Sequence, residues 1–193
     1  MDVHEFCVDK KNRVIYLHHL GGDESINWRT SSLFIKNLDF LESINKKPII
    51  VKVIASDGGD LADGLAIYSA IKNSKCHIHM IGYGYVCSAA TIFMQAAHKR
   101  SMMRDAEWMF HHGSVWLEQT TLAARSTIQS NTRHNKTMLS IYAERCINGP
   151  FFKDRKYSPS RVRSYLENKM RSEGDVWLTS EQALDMGFID EII

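Results

Sequence analysis

The sequence has few cysteines, no excess of charge of one sign and no long apolar run, and each scarcity excludes a class of protein. Its four cysteines are scattered over 193 residues without a Cys-Xaa-Xaa-Cys pair, which fits neither a disulfide framework nor a zinc site. No apolar run approaches the roughly 20 residues that span a bilayer, and the N-terminus has no basic-then-apolar signal. We therefore expect a cytoplasmic protein without a membrane partner.

The charged residues are balanced and the length is moderate. Lys and Arg number 24 against 22 Asp and Glu, and neither sign forms a long block, so we expect no nucleic-acid partner. A chain of 193 residues can bury one substantial core without disulfides or metals. We accordingly predict a single domain over residues 1–193.

Apolar spacing predicts strands and helices in strict alternation through the first part of the chain, which implies parallel pairing with right-handed crossovers. The predicted elements are strands at 13–20, 48–55 and 76–83, helices at 28–44, 61–72 and 91–97, short strands at 100–102 and 108–111, and a long helix from 121 to about 145. The second half is less regular. It is predicted to contain a surface loop at 151–158, a helix from 159 to about 170, a short capped helix ending at Gly187 and a last strand at 188–193.

Ser88 lies where a predicted strand gives way to a predicted helix, a position at which hydrolases hold a nucleophile. The helix start offers free backbone N–H groups that can stabilise negative charge, although a stretch of small residues more often reflects close helix packing. Gly58 and Gly59 occupy the preceding strand-to-helix turn, where glycines allow close approach of the backbone. Because the carboxyl ends of parallel strands meet at one edge, both turns are expected to lie side by side.

A serine nucleophile also needs a base, and the chain has nine histidines. His111 and His112 stand out because they follow an apolar run that can pair beside the serine turn. Five others are more simply explained as structural or surface residues: His18, His19, His77, His79 and His98. Consecutive strand residues face opposite ways, so the adjacent histidines cannot easily hold one ion, and we predict no metal site.

Five segments, taken in order, resemble the landmarks of the proteolytic subunit of the Clp protease, the ClpP family. These segments are SDGG at 56–59, GYVCSAA at 84–90, MFHH at 109–112, DVWLTSEQA at 175–183 and GFID at 187–190. The resemblance implies an α/β fold of the ClpP/crotonase type, a spiral of repeated β-α-β units. It also implies a protruding helical handle, at about 113–148 in this chain.

The resemblance further implies a serine endopeptidase that needs no cofactor. It places the catalytic serine on Ser88, the catalytic histidine on His111 and the catalytic aspartate on Asp175. Two oxyanion N–H donors fall on Gly59 and Ala89. By the same resemblance, the substrates are peptides or unfolded proteins, and the chain forms a homo-oligomeric ring, a heptamer or double heptamer, with a Clp unfoldase ATPase as partner.

The chain departs from the family pattern in ways typical of a divergent relative, such as the ClpP-like proteases of tailed phages. Only twelve residues precede Arg13, where the family usually has a longer segment that docks the unfoldase. Asp57 stands where the family usually has proline, Ala89 where it has methionine, and His112 and Gly113 where it has glutamine and proline. Glu173 and Gly174 replace an Asp-Arg pair that, in the family, links the stacking of two rings to active-site alignment. Residues 114–118 replace a Gly-rich strand.

Segment 151–158 resembles an insertion relative to the family pattern. Its Phe151 and Phe152, together with Trp116, are candidates for subunit contacts, because large apolar side chains on surface segments often mark interfaces. The alternative for these three residues is a local satellite core.

Two other functions remain open from the sequence. One is a ring-forming scaffold that has kept the fold and lost catalysis, which the altered pair at 173–174 favours. The other is a crotonase-like enzyme, in which paired backbone N–H donors stabilise an acyl-CoA enolate; the presence of both a serine and a histidine candidate argues against it.

Overall fold

The computed structural model describes residues 2–18, 25–114, 118 and 120–193, and these form a mixed α/β structure with a largely parallel sheet. The strands in the described residues are β1 Val8–Asp9, β2 Val14–Leu17, β3 Ile49–Ser56, β4 Ile78–Cys87, β5 Lys99–Met102, β6 Glu107–Phe110, β7 Val176–Thr179 and β8 Glu191–Ile192. The helices are α1 Asp2–Phe6, α2 Trp28–Ile44, α3 Leu61–Lys72, α4 Ala89–Met94, α5 Thr121–Cys146, α6 Pro150–Asp154, α7 Pro159–Glu173 and α8 Ser180–Asp185. None of these helices combines the length and apolar character needed to cross a membrane.

The sheet follows the order β1-β2-β3-β4-β5-β8, and its central pairs are parallel as the alternation of elements predicts. Two pairings depart from that prediction. β1 pairs antiparallel with β2, and β7 pairs antiparallel with β6. The apolar pattern predicts neither β1 nor β7, because two and four residues respectively are too few to show a clear period.

Strand β4 is longer than predicted and pairs with two different strands along its length. Its first half pairs with β5 and its second half, from Tyr85 to Cys87, pairs with β6. The register between β3 and β4 shifts between Ile54 and Ser56, where Ala55 has a φ of 45°. Such an irregularity bends a strand and redirects the residues that follow. The carboxyl ends of β3, β4 and β6 are thereby gathered at one edge.

Segment 151–158 is not the predicted surface loop. It begins with the short helix α6, in which Pro150 occupies the first turn. Phe152 is fully buried and Phe151 is partly buried against the same core, where both contact the ring of Tyr165. The prediction of an exposed subunit contact is therefore wrong for Phe152, which belongs to the core. Phe151 packs against that core and keeps part of its side chain exposed, so its role as a subunit contact stays a prediction. Trp116, the third candidate, lies outside the described residues.

Helix α5 has two distinct parts. From Thr121 to Thr137 it contributes no buried side chain, whereas Met138 and several residues after it are buried in the core. The helix is therefore anchored in the core at its C-terminal end, while its first part lies at the surface, in the region where the handle is predicted. We refer to α5 as the handle helix below.

Candidate active site

Ser88 occupies a strained turn between β4 and α4. Its φ of 52° and ψ of −123° are rare for a residue with a side chain, and such conformations concentrate at functional sites. It is the N-cap of α4, yet its hydroxyl makes no capping hydrogen bond. The Ser88 N–H donates to the Met109 carbonyl at 2.8 Å, which fixes the turn against β6. The hydroxyl is thus held outside the sheet and helix layers.

His111 follows the last residue of β6, and the alternation of side chains along that strand explains the direction of its imidazole. Trp108 and Phe110 are buried in the core, so the side chains between and after them face the opposite side. His111 Nε2 lies 2.8 Å from Ser88 Oγ, a hydrogen-bond distance. The spacing of the residues alone left His111 and His112 as alternatives. In the structure His111, the residue that the family resemblance indicates, reaches Ser88, and His112 does not.

Asp175 stands between the C-terminal end of α7 and the start of β7. Its Oδ1 lies 2.9 Å from His111 Nδ1, on the far side of the ring from Ser88. The antiparallel pairing of β6 and β7, in which Phe110 faces Val176, brings the two residues together across 64 positions of sequence. The Asp175 side chain is 59% exposed, while that of His111 is 25% exposed. The three side chains form one continuous hydrogen-bonded line.

The turn containing Gly58 and Gly59 packs directly against the serine turn. A Cβ on Gly58 would lie 2.6 Å from the Cys87 carbonyl oxygen and from Ser88 Cβ, so only glycine allows this approach. Gly59, with φ of 142°, is held by the backbone of Ile26, whose N–H donates to Gly58 O and whose carbonyl accepts from Asp60 N. Sequence reasoning did not find Ile26, because it acts through its backbone from a distant element.

Two residues at the site have backbone N–H groups without an acceptor among the described residues. Among the described residues, neither the Gly59 N–H nor the Ala89 N–H forms a hydrogen bond. Both residues line a cleft of about 340 Å³ that also contains Ser88 and His111. Free donors beside a hydroxyl and an imidazole are the groups that stabilise an oxyanion.

The handle helix supplies one wall of the cleft, which sequence reasoning also missed. Its lining residues recur every three or four positions and are polar until the last: Thr127, Ser130, Asn131, His134, Asn135 and Met138. Apolar residues of other elements, Leu61 of α3 and Ile92 of α4, also line the cleft. The i, i+3, i+4 spacing marked these positions as one helix face, but nothing in the sequence indicated which element that face would meet.

Cys87, the neighbour of Ser88, is not available as a nucleophile. Its side chain is buried, and burial, with a smaller contribution from the nearby Asp57 carboxylate, raises the pKa of the thiol to about 12. Since the thiolate is the reactive form, the Cys87 thiol is inert at neutral pH. In the described residues, no three His, Cys, Asp or Glu side chains are grouped to hold a metal ion.

Comparison with known proteins agrees with this architecture. The sequence profile of the family described as Clp protease matches residues 4–193. Among solved structures, a mutant of ClpP1 from Listeria monocytogenes superposes with a TM-score of 0.71 at 24% sequence identity, covering 95% of this chain and 92% of that chain. At this identity the structural likeness establishes the ClpP-like peptidase fold. Because the family profile covers nearly the whole sequence, the chain belongs to the Clp protease family.

Proposed function

We propose that this protein is a serine endopeptidase that cleaves peptides and unfolded proteins through Ser88, His111 and Asp175. The observation that supports this proposal is the line of hydrogen bonds, 2.8 Å from Ser88 Oγ to His111 Nε2 and 2.9 Å from His111 Nδ1 to Asp175 Oδ1. Both distances are hydrogen-bond distances, and the first is within the reach that a general base needs to take the proton of Ser88. The strained turn at Ser88 supports the same assignment.

In the proposed reaction, Ser88 Oγ attacks the carbonyl carbon of the scissile peptide while His111 Nε2 takes its proton. The Gly59 and Ala89 N–H groups donate to the oxyanion of the tetrahedral intermediate, and each such donor contributes about 3 kcal/mol to the transition state. His111 then gives the proton to the leaving amine, and the acyl group remains on Ser88 Oγ until water releases it. Asp175 accepts from Nδ1–H and so keeps Nε2 unprotonated before the attack.

We further propose that the chain works as a homo-oligomeric ring in the cytoplasm, a heptamer or a pair of heptamers. Membership of the Clp protease family supports ring assembly and protein substrates. The four cysteines are all unpaired, which supports a reducing compartment. In a ring, the active sites would face an internal chamber that admits flexible chains, and a Clp unfoldase ATPase would be the source of such chains from folded substrates.

The substrate class can be tested with the assembled protein, a fluorogenic peptide, an unfolded protein and a stably folded protein. We expect cleavage of the first two and no cleavage of the third unless an unfoldase is added. Native mass spectrometry of the same sample reports whether a ring is present. A protein that assembles into rings but cleaves neither flexible substrate would contradict the proposal and favour the inactive scaffold.

A further inference from the structure

Both backbone groups of Gly113, its N–H and its carbonyl, form hydrogen bonds with the handle helix. Its N–H donates to Asn135 Oδ1 at 3.1 Å, and its carbonyl accepts from Asn131 Nδ2 at 3.0 Å. The two asparagines are four positions apart and therefore lie on one helix face, one turn from each other. Together they form a two-point clamp on a single residue of the neighbouring segment, which we call the amide clamp.

The amide clamp acts two residues beyond His111. The pairing of β6 with β7 ends at Phe110 and Val176. His111 is therefore the first residue beyond the sheet, and the strand pairing holds it only through Phe110, the residue before it. In the described part of the chain, the next backbone groups that form hydrogen bonds are those of Gly113. The backbone around His111 is thus fixed by the sheet before it and by the clamp after it.

Close packing accompanies these bonds. A Cβ on Gly113 would lie 3.0 Å from Asn131 Oδ1 and 3.4 Å from Asn135 Oδ1, so the amides lie directly over the glycine backbone. Both asparagines are partly buried in the cleft wall. A hydrogen bond in such a partly buried setting stabilises the arrangement of its two groups, and these two bonds are formed together.

The handle helix also bonds the serine side of the site. The Tyr142 hydroxyl pairs with the Thr91 hydroxyl, which in turn donates to the Ser88 carbonyl. Tyr142 is fully buried, so this end of the helix is fixed in the core. One helix therefore bonds the serine turn through Tyr142 and the histidine segment through the amide clamp.

We propose that Asn131 and Asn135 are positioning residues that hold His111 in line between Ser88 and Asp175, so that the proton transfer depends on the seating of the handle helix. This inference rests on the proposed function, because it concerns the base of that reaction. A displacement of about 1 Å at a reacting group can lower a rate by about 100-fold, so two bonds next to the imidazole are enough to matter.

The two positions have opposite chemical requirements, which gives a sharp test. Asn135 acts only as an acceptor toward Gly113, and the carboxylate introduced by Asn135→Asp would accept the same bond. Asn131 acts only as a donor, and the carboxylate introduced by Asn131→Asp would face the Gly113 carbonyl oxygen with no proton between them. The two substitutions add the same charge to the same helix face, one turn apart, so each controls for the charge of the other.

Peptide turnover by the assembled protein at pH 8 should separate the variants. For Asn131→Asp and for Asn135→Ala we expect kcat to fall about 10- to 100-fold with KM changed by less than about twofold. For Asn135→Asp we expect kcat within about threefold of the wild type, since the bond to Gly113 is retained. Lys136→Ala, an exposed change on the same helix, is the control for handling and assembly.

Equal losses of kcat in the two aspartate variants, or a change confined to KM, would overturn the inference and indicate a charge effect or substrate contact instead. Amide hydrogen exchange at Gly113 is read in the same samples without any need for activity. The clamp predicts slow exchange in the wild type and Asn135→Asp and faster exchange in Asn135→Ala. A wild type without turnover would refute the proposed function and the kinetic part of the inference, while the exchange rates would still decide whether the clamp exists.

Discussion

Replacing Ser88 with alanine is expected to lower kcat for peptide cleavage by about 10⁶-fold, to the background of the assay. The variant loses the only atom that the proposed mechanism uses to form the acyl intermediate, and the oxyanion donors at Gly59 and Ala89 cannot supply a nucleophile. The fold should be retained, because the Ser88 hydroxyl makes no capping bond to α4. Initial rates with a fluorogenic peptide, measured beside a thermal unfolding curve, check both statements.

Cys87→Ala is the matched control, since it removes the side chain next to the nucleophile. That thiol is buried and protonated at neutral pH, so its loss should lower stability slightly and leave kcat within about threefold of the wild type. Equal rates in Ser88→Ala and the wild type would identify the chain as a scaffold. A large loss in Cys87→Ala with a stable fold would show that the serine assignment is wrong.

Replacing Asp175 with asparagine is expected to lower kcat by up to about 10⁴-fold with little change in KM. The side-chain amide introduced by this substitution can donate a hydrogen to Nδ1, which leaves the proton on Nε2 and removes the base that faces Ser88. The Asp175 side chain is 59% exposed in the single chain, so water competes for its bond to His111 and a smaller loss would mean that solvent partly replaces it. The decrease in kcat, measured at saturating peptide, gives the contribution of Asp175.

Glu173→Gln is the control for charge near the site. Glu173 lies two residues before Asp175 but pairs with Lys169, one turn earlier on α7, at 2.6 Å. Its change should leave kcat within about twofold, because its carboxylate does not contact His111. If Glu173→Gln and Asp175→Asn gave the same loss, the effect would come from the charge of this region and not from the bond to the imidazole.

The serine turn and its place in the fold could be predicted because their signals are local. The apolar run before Ser88 and the small residues after it predict a strand-to-helix turn, and the glycine pair marks the neighbouring turn. The predicted end of β4 is four residues too early, at Tyr83 instead of Cys87, since Gly84 follows directly and glycine is disfavoured within strands. Strand propensity alone cannot show that such glycines remain within a ladder.

Features that depend on contacts between distant segments could not be predicted. Phe152 lies in a polar stretch, and its burial depends on the packing of α6 beneath α7 rather than on any nearby pattern. The residue spacing alone does not separate His111 from His112, because that choice follows from the direction of β6, which depends on its register with β7. Only the family resemblance indicates His111 in advance. Asp175 has no local sign of its role, and only the family resemblance indicated it.

The amide clamp is the clearest case of a feature hidden from the sequence. Asn131 and Asn135 are typical of ordinary polar residues on an exposed helix, and their partner Gly113 stands out in the sequence only as a departure from the family's usual proline. Proline has no N–H group, so a residue at this position can donate to Asn135 only because it is not proline. The replacement of proline by Gly113 therefore has a structural consequence, because it provides the N–H group that the handle helix binds.

The nucleophilic character of Ser88 is tested most directly by treating the assembled protein with a fluorophosphonate and locating the adduct by peptide mass spectrometry. We expect one adduct per chain, on Ser88 Oγ, formed with loss of fluoride, and much slower formation in His111→Ala because the base is missing. An unmodified protein, an adduct on another residue, or equal labelling of His111→Ala would contradict this expectation.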